Sequence, residues 1–381
     1  GWEDPDTGMQ LAIAGSFDGT VFVDVTDGKN PVYLGTLDPV VPGDFGNIWG
    51  DVRVYDNTAY IGTEAIDMAN FDGNGIQVVD LTQFRGATGP IEVAERERIK
   101  DVTNSHNLSL NVDTGRLYVM GSTWALAACA AINDPGVIRN GNGGALIYDV
   151  ASDPMDPQLI GCMLEDGYTH DMQCVIYDGP DVEHRGKEIC IGSNEDTVTI
   201  YDATDAASPQ ILSILDYQTL PFNPPGGGPP NYYTHQGWLS EDHQFFFLGD
   251  ELDEYFGGNE ERSTYIWDMT DLDNAFVINA YTDGNESIDH NMFILDSLLY
   301  QANYTDGLSI YDTWKADQGR MKLRGHFDIY PDDDSTIFAG SWGVYPYFGD
   351  GKVIVTGSEQ GLFVLDSRAK SSAPQGKGKG K

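Results

Sequence analysis

Gly167-Tyr168-Thr169-His170-Asp171-Met172 returns later in the chain as the near copy Tyr233-Thr234-His235-Gln236-Gly237. Two weaker copies bracket the pair, Asn104-Ser105-His106-Asn107-Leu108 before it and Ile288-Asp289-His290-Asn291-Met292 after it. Each histidine opens an apolar run that closes in a polar turn, so four of the seven histidines hold one repeated position. The register continues through Ile48-Trp49-Gly50-Asp51-Val52 and Ser341-Trp342-Gly343-Val344, where glycine stands in place of histidine, and Gly1-Trp2 reads as a truncated copy. In order, the equivalent positions are Gly1, Gly50, His106, His170, His235, His290 and Gly343.

A second signal keeps the same count. Apolar strands end in aspartate at Phe22-Val23-Asp24, Val78-Val79-Asp80, Ile147-Tyr148-Asp149, Ile200-Tyr201-Asp202, Ile266-Trp267-Asp268, Ile310-Tyr311-Asp312 and Val364-Leu365-Asp366. Between the two signals lies a further strand closing on a small residue, over 11–15, 59–62, 117–121, 188–192, 245–249, 299–302 and 353–357. After the aspartate a turn leads into a fourth strand, as in Pro31-Val32-Tyr33-Leu34-Gly35 and Pro209-Gln210-Ile211-Leu212. Four short strands repeated seven times, rich in β-branched and aromatic residues and almost without helical period, predict an all-β chain: a seven-bladed β-propeller of four-stranded blades. A sandwich does not show seven units, and a helical solenoid needs amphipathic helices. Segments 65–74, 124–143 and 221–231 read as loop insertions. The first unit starts inside its innermost strand and the seventh stops after its third. The expectation is therefore a propeller over 1–367, incomplete at the N-terminus and closed by residues upstream of Gly1. A basic Gly/Lys-rich tail or linker at 368–381 follows.

Of the 381 residues 40% are hydrophobic, ample for a core, yet no apolar run reaches the roughly 18 residues of a transmembrane helix. The formal charge of −39, spread along the chain, repels phosphate and argues against a nucleic-acid partner. It suits either a solvating surface in salty or extracellular water or the binding of cations. Four cysteines, Cys129, Cys162, Cys174 and Cys190, lack C-x-x-C spacing. Cys174 and Cys190 fall in successive strands joined by a polar loop, which places them to bridge a hairpin and leaves Cys129 for Cys162. Two disulfides fit an exported protein; buried free thiols are the competing reading.

Several blocks resemble the LVIVD-repeat proteins of the choice-of-anchor B family. They are Gly19-Thr20-Val21-Phe22-Val23-Asp24-Val25-Thr26-Asp27, Tyr168-Thr169-His170-Asp171-Met172-Gln173-Cys174, Ser193-Asn194-Glu195-Asp196-Thr197, Gly249-Asp250-Glu251-Leu252-Asp253-Glu254 and Gly361-Leu362-Phe363-Val364-Leu365. The resemblance covers nearly the whole chain. It implies an exported propeller, secreted or held at the cell surface by a variable anchoring or sorting tail, in a family largely without assigned chemistry.

In a propeller the first strand of each blade lines the central axis, so residues at the start of that strand converge. His106, His170, His235 and His290 come from four consecutive units, and imidazoles so gathered point to one bound transition metal ion. Copper, iron, zinc and manganese are not separated by sequence. A hydrogen-bonded ring of histidines and an acid–base site without metal are the competing readings. Glu64, Glu251 and Glu359, two residues beyond the small residue of their units, are placed to accept hydrogen bonds from the far nitrogens of metal-bound histidines. The glycine side of the ring, with Trp49, Asp51 and Trp342, leaves an open coordination position and an aromatic-rimmed substrate pocket. Close packing of the innermost strands is the plainer use of those glycines. The acidic loops 67–74, 283–286 and 332–334 are further candidates, for calcium, against the plainer reading of solvated loops. The expected function is a metal-dependent enzyme using redox or Lewis-acid chemistry. The alternative is a non-catalytic cell-surface or extracellular binding or scaffold protein whose metal is structural. A glycan, a small molecule or a protein is the expected ligand at the tunnel mouth.

Overall fold

Strand alternation decides the packing. Along neighbouring strands Ala59, Ile61 and Val79 turn one way and join Leu11, Phe22 and Leu34. Tyr60, Ile76 and Val78 turn the other way and join Leu108, Leu117 and Leu146. A sheet buried on both faces between two others is a propeller blade, and its period of two supplies both cores. Residues 298–311 repeat the arrangement, with Leu299 and Tyr311 packed toward Phe247 and Ile266, and Tyr300 and Ile310 toward Val344 and Val355.

The computed structural model describes residues 1–70, 74–122, 129, 143–217, 232–256 and 261–373. Blade 1 comprises Trp2–Glu3, Gln10–Ser16, Gly19–Asp24 and Val32–Leu37; blade 2 Val52–Tyr55, Thr58–Ile61, Ile76–Asp80 and Glu97–Ile99. Blade 3 comprises Leu108–Asn111, Arg116–Val119, Ala145–Asp149 and Gln158–Met163; blade 4 Asp171–Ile176, Glu188–Ser193, Val198–Asp202 and Gln210–Leu215. Blade 5 comprises Thr234–Leu239, Phe245–Asp250, Thr264–Asp268 and Phe276–Tyr281; blade 6 Met292–Leu295, Leu298–Asn303, Gly307–Lys315 and Arg320–Phe327. Blade 7 has three strands among the described residues, Ser341–Tyr345, Lys352–Gly357 and Gly361–Asp366. Among the described residues the strands named pair antiparallel with their neighbours in sequence, and the fold is a seven-bladed β-propeller. Two compact units make up the chain, Gly1–Asp178 with Val182–Asp216, and Gly179–Asp181 with Tyr217–Lys381. Blades 1–4 belong to the first and blades 5–7 to the second.

The repeated aspartate now has a physical cause. Asp24, Asp80, Asp149, Asp202, Asp268 and Asp312 each accept the backbone N–H two residues on, from Thr26, Thr82, Ala151, Thr204, Thr270 and Trp314, at 2.8–3.1 Å. In the first five such a bond ends the strand and starts the turn, whereas the blade 6 strand runs on past Asp312 to Lys315. Just before the aspartate, at Phe22/Val23, Ile147/Tyr148, Ile200/Tyr201, Ile266/Trp267 and Ile310/Tyr311, a bulge shifts the register of the last strand pair. Bulges increase the local twist, which suits the outer edge of a blade.

Both expected disulfides form. Cys174 and Cys190 are directly opposed across the first two strands of blade 4, and Cys129 joins Cys162 in the last strand of blade 3. Buried Glu188 pins blade 3 to blade 4 by accepting from Asn111, Thr114 and Tyr118 and pairing with Arg116. Beyond blade 7, Ser371 Oγ and the Ser372 N–H donate to Asp312. Apart from Cys129 and Gly143, the insertion at 124–143 lies outside the described residues, as do the insertion at 221–231, residues 71–73 of the first acidic loop and 374–381 of the tail. No helix among the described residues is long and apolar enough to cross a membrane.

Candidate metal centre

In the second unit His235 owes its position to a bulge. Thr234 pairs with Asp250 and Gln236 with Gly249, so His235 is the extra residue. A bulge of this kind re-aims one side chain without ending the strand. His290 lies two residues before the first strand of blade 6, its N–H donating to the Ala302 carbonyl. Both side chains are buried and their rings stand 4.6 Å apart.

The hydrogen bonds fix a tautomer. His290 Nδ1 is 2.5 Å from the Trp342 carbonyl oxygen, and a carbonyl only accepts, so Nδ1 carries the proton. In the neutral ring Nε2 then presents its lone pair, and what it faces is Glu251 Oε1 at 3.6 Å. The other Glu251 oxygen lies 3.5 Å from His235 Nε2. One atom from each of the three residues falls within 4.8 Å of the others. Tyr304 donates its hydroxyl to Glu251 Oε1 at 2.5 Å, from a backbone with φ 33° that bulky residues rarely adopt. Glu251 therefore lies on the ring nitrogens that face each other, where it can itself ligate; the sequence had it receiving the far nitrogens. That receiving role belongs to the carbonyl of Trp342, itself at a bulge in blade 7.

The first unit holds the other pair. His106 and His170 have ring centroids 4.1 Å apart, and Glu64 Oε1 is 2.5 Å from His106 Nδ1. Gly121 is required beside them: its φ is +75°, and an added Cβ would come within 2.5 Å of the His106 Cβ. Asp51 is bonded to Arg53 and accepts the Leu108 N–H at 3.1 Å, so it fixes the strand that follows His106. Trp49 packs edge-on against Phe45. In the second unit Glu359 is exposed, with its N–H on the Gln360 side chain.

A group absent from the sequence expectations lies behind Glu251. Asp253, Glu254 and Asp289 are buried with carboxylate oxygens within 4.8 Å of one another, and Asp250 accepts from Tyr217 and from the N–H of Tyr233. Burial, first of all, pushes Asp250 up to about 6 and Asp253, Glu254 and Asp289 well above the usual carboxylate range. In the first unit burial lifts Asp171 to about 7. Hydrogen bonds from Arg85 hold Asp4 down at about 2.

These shifts set a pH dependence for the protein in the absence of metal ions. A carboxyl raised in the fold keeps its proton where the unfolded chain has lost it, above roughly pH 4, so the folded state binds more protons. Its stabilisation is full below about pH 4 and is lost as pH rises through 6–7. Asp4 works in the opposite sense, and its contribution is lost only as pH falls below about 4. In EDTA the midpoint of thermal unfolding should thus be higher at pH 5.5 than at pH 7.5; a midpoint unchanged or higher at 7.5 contradicts the assignment.

Comparison with solved structures places the fold among known propellers. The periplasmic gluconolactonase of Pseudomonas aeruginosa superposes with a TM-score of 0.51 at 15% identity over 82% of each chain. A functionally unknown protein of Desulfotomaculum acetoxidans gives 0.54 at 12% identity over 94% of this chain and 92% of that one. Sqt1 of Saccharomyces cerevisiae gives 0.53 at 10% over 94% of each. Identities this low carry the fold alone. No family profile and no curated protein matches the chain.

Proposed function

We propose that this chain is an exported LVIVD-repeat propeller that binds a transition metal through His235, Glu251 and His290 and uses it as a metal-dependent enzyme. The observation that carries the reading is the lone pair of His290 Nε2, fixed by the Trp342 carbonyl and aimed at a carboxylate that also meets His235 Nε2. The His290 Nε2 lone pair and the Glu251 carboxylate are acceptor facing acceptor, an arrangement that a cation between them satisfies. Two imidazoles and one carboxylate are a donor set suited to zinc or ferrous iron. Three protein ligands leave coordination positions for water or substrate, which distinguishes a catalytic centre from a stapling one. A bound ion there supplies Lewis acidity or a redox couple.

The protein's own residues support access. Trp342, Tyr304, Phe338 and Tyr255 touch in succession at ring distances of 5.9, 5.4 and 4.8 Å. Phe338 and Tyr255 are 44% and 49% exposed, so an aromatic wall leads from His290 to solvent. Tyr304 orients Glu251, and Trp342 orients His290. Two disulfides fit an oxidising compartment and support secretion or display at the cell surface.

The test is elemental analysis and metal titration of the full chain and two double variants. His235→Ala/His290→Ala should lose the transition metal while keeping the β-sheet spectrum. His106→Ala/His170→Ala, in the first unit, should retain it. Wild-type protein that takes up no zinc, iron, copper or manganese overturns the reading.

A further inference from the structure

We infer that Asp253, Glu254 and Asp289 form a second, oxygen-only cation site that takes calcium. Neither carboxylate oxygen of Glu254 accepts a hydrogen bond from a described donor, although the residue is only 6% exposed. Asp289 is 1% exposed and its Oδ1 is likewise unbonded among the described residues, while Gln301 donates to Oδ2 at 3.3 Å. An added Cβ on Gly249 would come within 2.3 Å of that Oδ2, so glycine at this position makes room for the carboxylate. Tyr265 holds Asp253 from the outer side through its hydroxyl at 3.1 Å.

Buried carboxylates are normally bonded or paired, and leaving one bare in the interior is strongly unfavourable. Arg262, whose charge reaches Asp289, is already bonded to Asp283 and Asp306. Oxygens that share an ion at 2.3–2.6 Å stand up to about 5 Å apart, and the three carboxylates meet that limit at 4.8 Å. All donors are hard oxygens and none is nitrogen or sulfur, which selects calcium over zinc or copper; magnesium fits less well, because it keeps several waters. The cluster is separate in chemistry from the histidine centre, and the inference stands whether or not that centre is catalytic.

The experiment uses the full chain stripped with EGTA, and terbium as the luminescent calcium probe, with Tyr265 as an adjacent sensitiser. Wild-type protein should bind terbium with sensitised emission that calcium displaces, and calcium should raise the thermal midpoint. Glu254→Gln and Asp289→Asn should each weaken terbium binding at least tenfold and abolish the calcium-dependent rise. His235→Ala/His290→Ala should leave both intact, as should neutralising the exposed loop by Asp332→Asn/Asp333→Asn/Asp334→Asn. A wild-type midpoint indifferent to calcium, with Glu254→Gln more stable in EGTA and in calcium alike, would show carboxyls sharing protons and overturn the inference. Terbium binding unchanged in both carboxylate variants would overturn it too, as surface binding only. Should either variant fail to fold, the other variant and the calcium content of untreated wild-type protein decide.

Discussion

Arg262→Met should destabilise the second unit by about 3–5 kcal/mol, the usual loss when one member of a buried ion pair is removed. The guanidinium is 4% exposed and reaches Asp283 and Asp306 at 2.7 Å each, and it also donates to Ser287 Oγ at 2.7 Å and the Tyr311 hydroxyl at 3.0 Å. Deleting it removes the guanidinium counter-charge from two carboxylates whose side chains are 14% and 9% exposed, leaving Asp283 the Tyr311 hydroxyl and Asp306 the His326 ring. The penalty is then the missing counter-charge more than the lost bonds. Adding Asp283→Asn and Asp306→Asn to Arg262→Met should therefore recover part of the loss. Urea unfolding at pH 7 measures both; a loss below about 1 kcal/mol would mean that the pairs behave like exposed ones.

What the sequence made legible was whatever repeats. Strand, small residue, strand and aspartate recur because every blade must present two apolar faces and then turn, and backbone geometry imposes this on each unit separately. The aspartate could be read as a strand end before its bond to the N–H two residues on was visible. The repeated register set His106, His170, His235 and His290 at equivalent positions expected to converge, and the structure brings His106 beside His170 and His235 beside His290. Backbone partners were not legible. Nothing in Ser341-Trp342-Gly343 says that the Trp342 carbonyl, turned by a bulge, fixes the tautomer of His290, because a bulge shifts register without changing composition. Asp253, Glu254 and Asp289 were hidden differently. In a chain with 60 acidic residues, Asp253 and Glu254 beside Glu251 carry no pattern that marks them off from surface acids, and only burial does so.

Glu251→Gln is the sharpest probe of the histidine centre, because it keeps shape and removes charge. Glutamine can still accept the Tyr304 hydroxyl, so the fold around it should hold. Opposite His235 Nε2 and His290 Nε2, however, it offers a neutral amide where a carboxylate stood at 3.5 and 3.6 Å. If Glu251 is a ligand, affinity for zinc or cobalt should fall by more than the roughly 10–100-fold typical of a group that only orients a ligand, and the visible spectrum of the cobalt form should change. Glu64→Gln, beside His106 in the first unit, is the matched comparison. Protons compete for the same nitrogens, so wild-type affinity should fall as pH drops. Deleting the carboxylate should leave that pH slope in place while lowering the whole curve. A Glu251→Gln curve that coincides with wild type at every pH would remove Glu251 from the coordination sphere, and with it the three-ligand geometry from which an open position was argued.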